Sequence, residues 1–128
     1  MESLSISAIY LPLFGILFVL ITGRVGILRI RKRLSSGDGG DDDFRKVMRA
    51  QMNFTESTPL ALMLIVLAEY RSAPSLLVHS LFSLLLIGRS LHYLQLTGTI
   101  RPIMFRMMGM LFTLVIMLAA SGWLLLAQ

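Results

Sequence analysis

The chain has 128 residues, 55% of them hydrophobic and only 15% charged, and its mean hydropathy is +0.76. A soluble domain of ordinary composition carries about 25% charged residues, so that class is excluded and a single membrane domain over residues 1–128 takes its place. The net charge of +5 does not mark a nucleic-acid surface, because eight of the twelve basic residues crowd in or beside one loop; the lack of cysteine excludes disulfides, zinc–thiolate sites and a thiol nucleophile.

Four apolar stretches approach the length of about 20 residues that crosses a hydrocarbon core. The first runs from Leu4 to Thr22. It lacks a basic leading segment and a small-residue cleavage site, which argues against a cleaved leader. Its helix is expected to continue into water through Arg33 and to break at "SSGDGG", where Gly37, Gly39 and Gly40 supply the turn. Asp41, Asp42 and Asp43 suit the positive end of a second helix. That helix spans about 44–70, with two polar turns projecting from the membrane and Pro59 inside it.

"RSAPS" turns the chain into a third span from Leu76 to about Leu96, and "TGTIRP" leads to a fourth from Ile103 to about Leu126. The fold class is therefore all-α, an integral membrane four-helix bundle. Arg24, Arg29, Arg31, Lys32, Arg33, Arg45, Lys46 and Arg49 surround the first loop, and Arg101 and Arg106 flank the third. The excess of basic residues places loops one and three in the cytoplasm and both termini on the opposite side.

Ionisable side chains in membrane helices are costly, and by default mark function. Arg45, Arg49, Asn53 and Glu56, spaced four, four and three apart, form one stripe; Arg89 and His92 share a face of the third helix. With Arg106 they gather at one level, as a basic pocket suited to a small anionic ligand. Glu56 and Arg89 either neutralise one another or shape the site together. Arg45 and Lys46 read as solvated or bound to headgroups. His79, at the opposite level, reads as an interfacial or interhelical hydrogen-bonding residue, and Tyr10 and Trp123 as interfacial anchors. The methionines of the fourth span read as pliable packing.

"ITGRVGILRIRKR", "GDGG", "RAQMNFTESTPLAL", "GRSLHYL" and "FRMMGMLFT" together resemble the MAPEG superfamily, the membrane-associated proteins in eicosanoid and glutathione metabolism, and most of all its small bacterial members. The resemblance covers nearly the whole chain. It implies a homotrimer in the inner membrane, with glutathione as cosubstrate bound between neighbouring subunits near the cytoplasmic face. The implied activity is a transferase or peroxidase acting on a lipophilic small-molecule substrate. Arg49 and Asn53 would hold the peptide, Glu56 would bind its amino end or brace the site through Arg89, and His92 would line the pocket. Arg106 would stabilise the thiolate as the catalytic residue, with Arg24 or Arg29 reaching a neighbour's site.

Gln51, Met52, Leu96 and Met107 depart from donors found in relatives, which removes the case for a specific eicosanoid enzyme. The other class consistent with these residues is a non-catalytic member that binds an anionic lipid or metabolite. A small multidrug transporter does not fit, because the first span holds no carboxylate.

Overall fold

The computed structural model of the chain describes residues 4–127, which form four helices: α1 (Ser5–Lys32), α2 (Asp42–Tyr70), α3 (Ser75–Leu96) and α4 (Met104–Leu126). No strand occurs among the described residues. The boundaries follow local chemistry. α1 stops where Arg33 turns left-handed, at φ 55°, and returns its amide to Arg29 and Ile30. Gly37, Gly39 and Gly40 all take positive φ in the loop beyond, where a glycine avoids the Cβ clash. Asp41 then caps α2, its side chain accepting from the Phe44 amide at 2.9 Å, and Asp42 and Asp43 occupy the first turn.

That loop is stapled by its own charges. Lys32 pairs with Asp41, Arg45 with Asp38 and Asp42, and Lys46 with Asp43. Arg45 and Lys46 stay exposed, as a solvated reading requires, and pair with Asp38 of the loop and with Asp42 and Asp43 of the first turn of α2. The Asp38 carboxyl is held below its ordinary range chiefly by Arg45, and that of Asp41 by Lys32.

Of the four helices, α1, α3 and α4 are long and apolar enough to cross a membrane. At 1.5 Å per residue, the 28 residues of α1 span about 42 Å, more than a hydrocarbon core of about 30 Å. Its basic end therefore projects. α2 is as long, but its first turns are polar, so three of the helices in this four-helix bundle meet that test of length and apolarity. The difference is informative, because α2 provides a polar wall rather than another uniformly greasy rod.

The core runs along the bundle axis. Phe14 and Ile21 of α1, Phe54, Ala61 and Ile65 of α2, Val78, Phe82 and Leu85 of α3, and Ile116 and Ala120 of α4 are all buried. Without a hydrophobic drive between helices in lipid, close packing must do the joining. The tightest approach is between α3 and α4. A Cβ added to Gly109 would lie 2.4 Å from the Gly88 carbonyl oxygen and 2.8 Å from the His92 Cβ.

Polar contacts settle the far end of the bundle. Tyr10 stacks on Phe82 with ring centroids 4.9 Å apart, and its hydroxyl lies 2.9 Å from Ser83 Oγ. Tyr10 therefore packs against α3 while staying partly exposed. His79 Nδ1 lies 3.3 Å from the same hydroxyl, in keeping with an interhelical role. α1 has no side-chain cap of its own. Glu69 of α2 supplies one: its carboxylate accepts the Ile6 and Ser7 amides, each at 2.8 Å, and the Ser7 hydroxyl.

Candidate functional site

α2 brings Arg49, Met52, Asn53 and Glu56 to one face by their helical spacing. Opposite them stand His92 and Leu96 from the last turns of α3 and Arg106 from the first turn of α4, and together these seven residues line a pocket of about 160 Å³. Five of the residues expected from the sequence meet there: Arg49, Asn53, Glu56, His92 and Arg106. Glu56, Arg49 and Arg106 are exposed on its rim, while His92 is buried.

Arg89 forms the floor behind the pocket wall. It is 1% exposed and donates from Nη1 to Asn53 Oδ1 at 3.1 Å. The expected pairing of Glu56 with Arg89 does not form; no ion pair of either residue occurs among the described residues. The reason is depth, since the guanidinium reaches the α2 face at Asn53, about one turn before Glu56. Because the Asn53 oxygen is occupied, its amide NH₂ is left to donate elsewhere. Arg89 Nε and Nη2 are buried without a partner, an arrangement that is rare unless water or a ligand completes it.

His92 is oriented just as firmly. Its Nδ1 lies 3.0 Å from the Arg106 carbonyl oxygen, which can only accept, so Nδ1 carries the hydrogen. Nε2 is buried and unpartnered. The Gly88–Gly109 crossing makes this bond possible by letting α3 and α4 nearly touch. We therefore expect Gly109→Ala to lower stability by about 2 kcal/mol, the scale of an overpacked core, although alanine ordinarily gains up to about 1 kcal/mol over glycine in a helix. Gly88→Ala is the control, because its Cβ would meet Phe112 at 3.4 Å. Thermal unfolding in detergent should separate the two variants; equal melting temperatures would refute the crossing's role.

Arg29 does not join the pocket of its own chain. It donates to the Gly37 carbonyl at 3.0 Å and sits over the Phe44 ring, 5.5 Å from its centroid, so it braces the first loop. Arg24 lies 3.4 Å from the Tyr93 hydroxyl. Met52 and Leu96, noted as lost donors, do stand on the pocket wall. Sequence reasoning missed Gly109 as the residue that sets the His92–Arg106 geometry. The signal was present as a glycine in the first half of an apolar helix, which permits close approach.

The arrangement offers guanidinium groups, an amide, an imidazole and one carboxylate around a small hollow. It suits an anion that also carries a positive group. The MAPEG family model matches residues 7–126 of the chain. The chain is 33% identical over 88 residues to the inner membrane protein YecN of Escherichia coli (strain K12), covering 69% of this chain and 67% of that protein. The YecN protein of Escherichia coli O6:H1 gives the same figures. No solved structure matches. A polar pocket at one end of a four-helix membrane bundle, with a family match over almost its full length, makes this chain a membrane protein of the MAPEG family.

Proposed function

We propose that the chain is a glutathione-dependent transferase or peroxidase that uses an arginine-stabilised thiolate against hydrophobic electrophiles. Charge balance carries this reading. Arg49, Arg89 and Arg106 against Glu56 give the site a formal +2. Glutathione with its thiol ionised bears two carboxylates, one ammonium and one thiolate, a formal charge of −2. Arg49 and the Asn53 amide would hold a carboxylate and Glu56 the ammonium. Arg106 would favour the thiolate, since a nearby positive charge lowers a thiol pKa from about 8.5.

In transfer, the thiolate sulfur attacks an electrophilic carbon and the leaving group departs with the bonding pair. In peroxide reduction, two thiols become one disulfide while the hydroperoxide becomes alcohol and water.

Size supports assembly. Sites for drug-sized ligands are typically about 300–1,000 Å³, and the pocket here is about 160 Å³. A neighbouring copy in a homotrimer would supply the remaining wall, with Arg24 as a donor available from outside. The basic first loop would place this end of the bundle in the cytoplasm of an inner-membrane protein, where a water-soluble thiol meets an oil-soluble partner.

One observation favours a second reading. Met52 and Leu96 put apolar groups on the wall, leaving recognition mainly to arginine, which would suit an anionic lipid or metabolite bound without chemistry. The two separate cleanly. Glutathione is titrated calorimetrically into purified protein in detergent, and conjugation to a chlorinated nitroaromatic is followed on the same sample. Binding with turnover above the uncatalysed rate supports the enzyme. No glutathione binding and no turnover would reject it in favour of the binding protein.

A further inference from the structure

The first turn of α4 carries Arg106 and is poorly secured by its own residues. Ile103 gives it no side-chain cap, and no acidic residue stands there to meet the positive end of the helix. Ile103, Met104, Arg106 and Met107 are exposed, and Gly109 is the first residue of α4 to be buried. The amides of Phe105 and Arg106 bond three residues back, to Pro102 at 3.2 Å and to Ile103 at 3.1 Å, the tighter pattern of a helix end.

One side chain from another helix reaches this turn. Among the described residues, His92 makes the only side-chain hydrogen bond to residues 103–108, from Nδ1 to the Arg106 carbonyl at 3.0 Å. A carbonyl oxygen has two lone pairs, so this bond leaves the helix ladder intact. The ring has no other polar task. His92 is 5% exposed, and its Nε2 is buried with no partner. With Nδ1 occupied and Nε2 closed off, neither nitrogen is left to a ligand. Arg49, Asn53 and Glu56 line the opposite wall from α2 and do not depend on this turn.

We propose that His92 is a positioning residue that acts through Arg106: it ties the uncapped first turn of α4 to α3 and so holds the Arg106 guanidinium where the thiolate forms, without touching the ligand by either nitrogen. For the anion that Arg106 meets, this rests on the glutathione reading above; the tie itself does not. Arg106 is the third residue of α4, within the turn that frays first when a helix end is left unsupported. A charge stabilises a developing anion best when its position is fixed beforehand, and a misplacement of about 1 Å can cost on the order of a hundredfold in rate. Loss of the tie therefore weakens the thiolate and spares the grip of α2 on the rest of the peptide.

The test compares His92→Asn, His92→Gln and His92→Leu in the full chain, purified in detergent. The Asn amide nitrogen stands as many bonds from the backbone as Nδ1 does, the Gln nitrogen one bond further, and Leu has no donor. Calorimetry follows binding of S-methylglutathione, whose sulfur cannot ionise. Thiolate absorbance gives the pKa of bound glutathione, and hydrogen exchange is read on the peptide containing residues 103–108. In the Leu and Gln variants the bound thiol should ionise about one unit higher, about a tenfold loss of thiolate, and that peptide should exchange faster. Asn should restore both, and S-methylglutathione should bind all three variants as it binds wild type. Unchanged thiol pKa and exchange in the Leu variant, or an Asn variant as impaired as Leu, would overturn the proposal. So would loss of S-methylglutathione binding, which would make His92 a ligand contact. If wild type binds neither glutathione nor its S-methyl form, the glutathione reading fails and exchange decides the tie. Faster exchange in Leu with rescue by Asn would then uphold it, and no difference would overturn it.

Discussion

Arg106→Ala is expected to slow glutathione conjugation about a hundredfold, the loss seen when one preorganised donor to a developing anion is removed. That corresponds to about 2.7 kcal/mol of transition-state stabilisation. Neither Arg106 nor Arg49 has a carboxylate partner among the described residues, so their charge is available to a ligand. Arg106 is also fixed from behind, because its own carbonyl receives His92 Nδ1 at 3.0 Å. A merely structural arginine would lower the rate at every pH. Loss of the thiolate partner should instead move the rise of the pH–rate profile upward, toward the free thiol near 8.5. Full activity in the variant would remove Arg106 from the thiolate role.

The second large effect is on stability. Glu69→Ala should cost about 3 kcal/mol, read as a lower melting temperature in detergent. The carboxylate accepts the Ile6 and Ser7 amides and the Ser7 hydroxyl, and it is only 8% exposed. Its loss would orphan donors at the start of a helix, where no other side chain caps them. Glu69→Gln keeps one acceptor oxygen but turns an NH₂ toward an amide N–H, so it should fall between alanine and wild type. An unchanged melting temperature for the alanine variant would show that the α1 terminus does not need this contact.

The contrast between these two residues shows what sequence can convey. Arg49, Asn53 and Glu56 declare themselves because helical spacing fixes their common face, and Arg89 and His92 do so for the same reason. The loop is legible through the Asp41 cap and the positive-φ glycines, whose requirements are local. Glu69 was not legible, since its partners lie 62 and 63 positions away and nothing local says that two helix ends meet. Arg89 was seen, but its partner was not. Periodicity gives the face of a helix and not its relative height against a neighbour, so spacing alone could not separate Asn53 from the expected Glu56 as the residue that Arg89 reaches. The same gap hid the role of Gly109: a single hydrogen in place of a methyl allows α3 and α4 to meet, and only their placement reveals it.

The most direct measurement is the thiolate absorbance of glutathione titrated with pH in the presence of the purified protein. If Arg49, Asn53, Glu56, His92 and Arg106 enclose a thiol ligand, the bound thiol should ionise at least one unit below its ordinary value of about 8.5, and Arg106→Ala should return it there. A titration identical with and without protein would contradict the account.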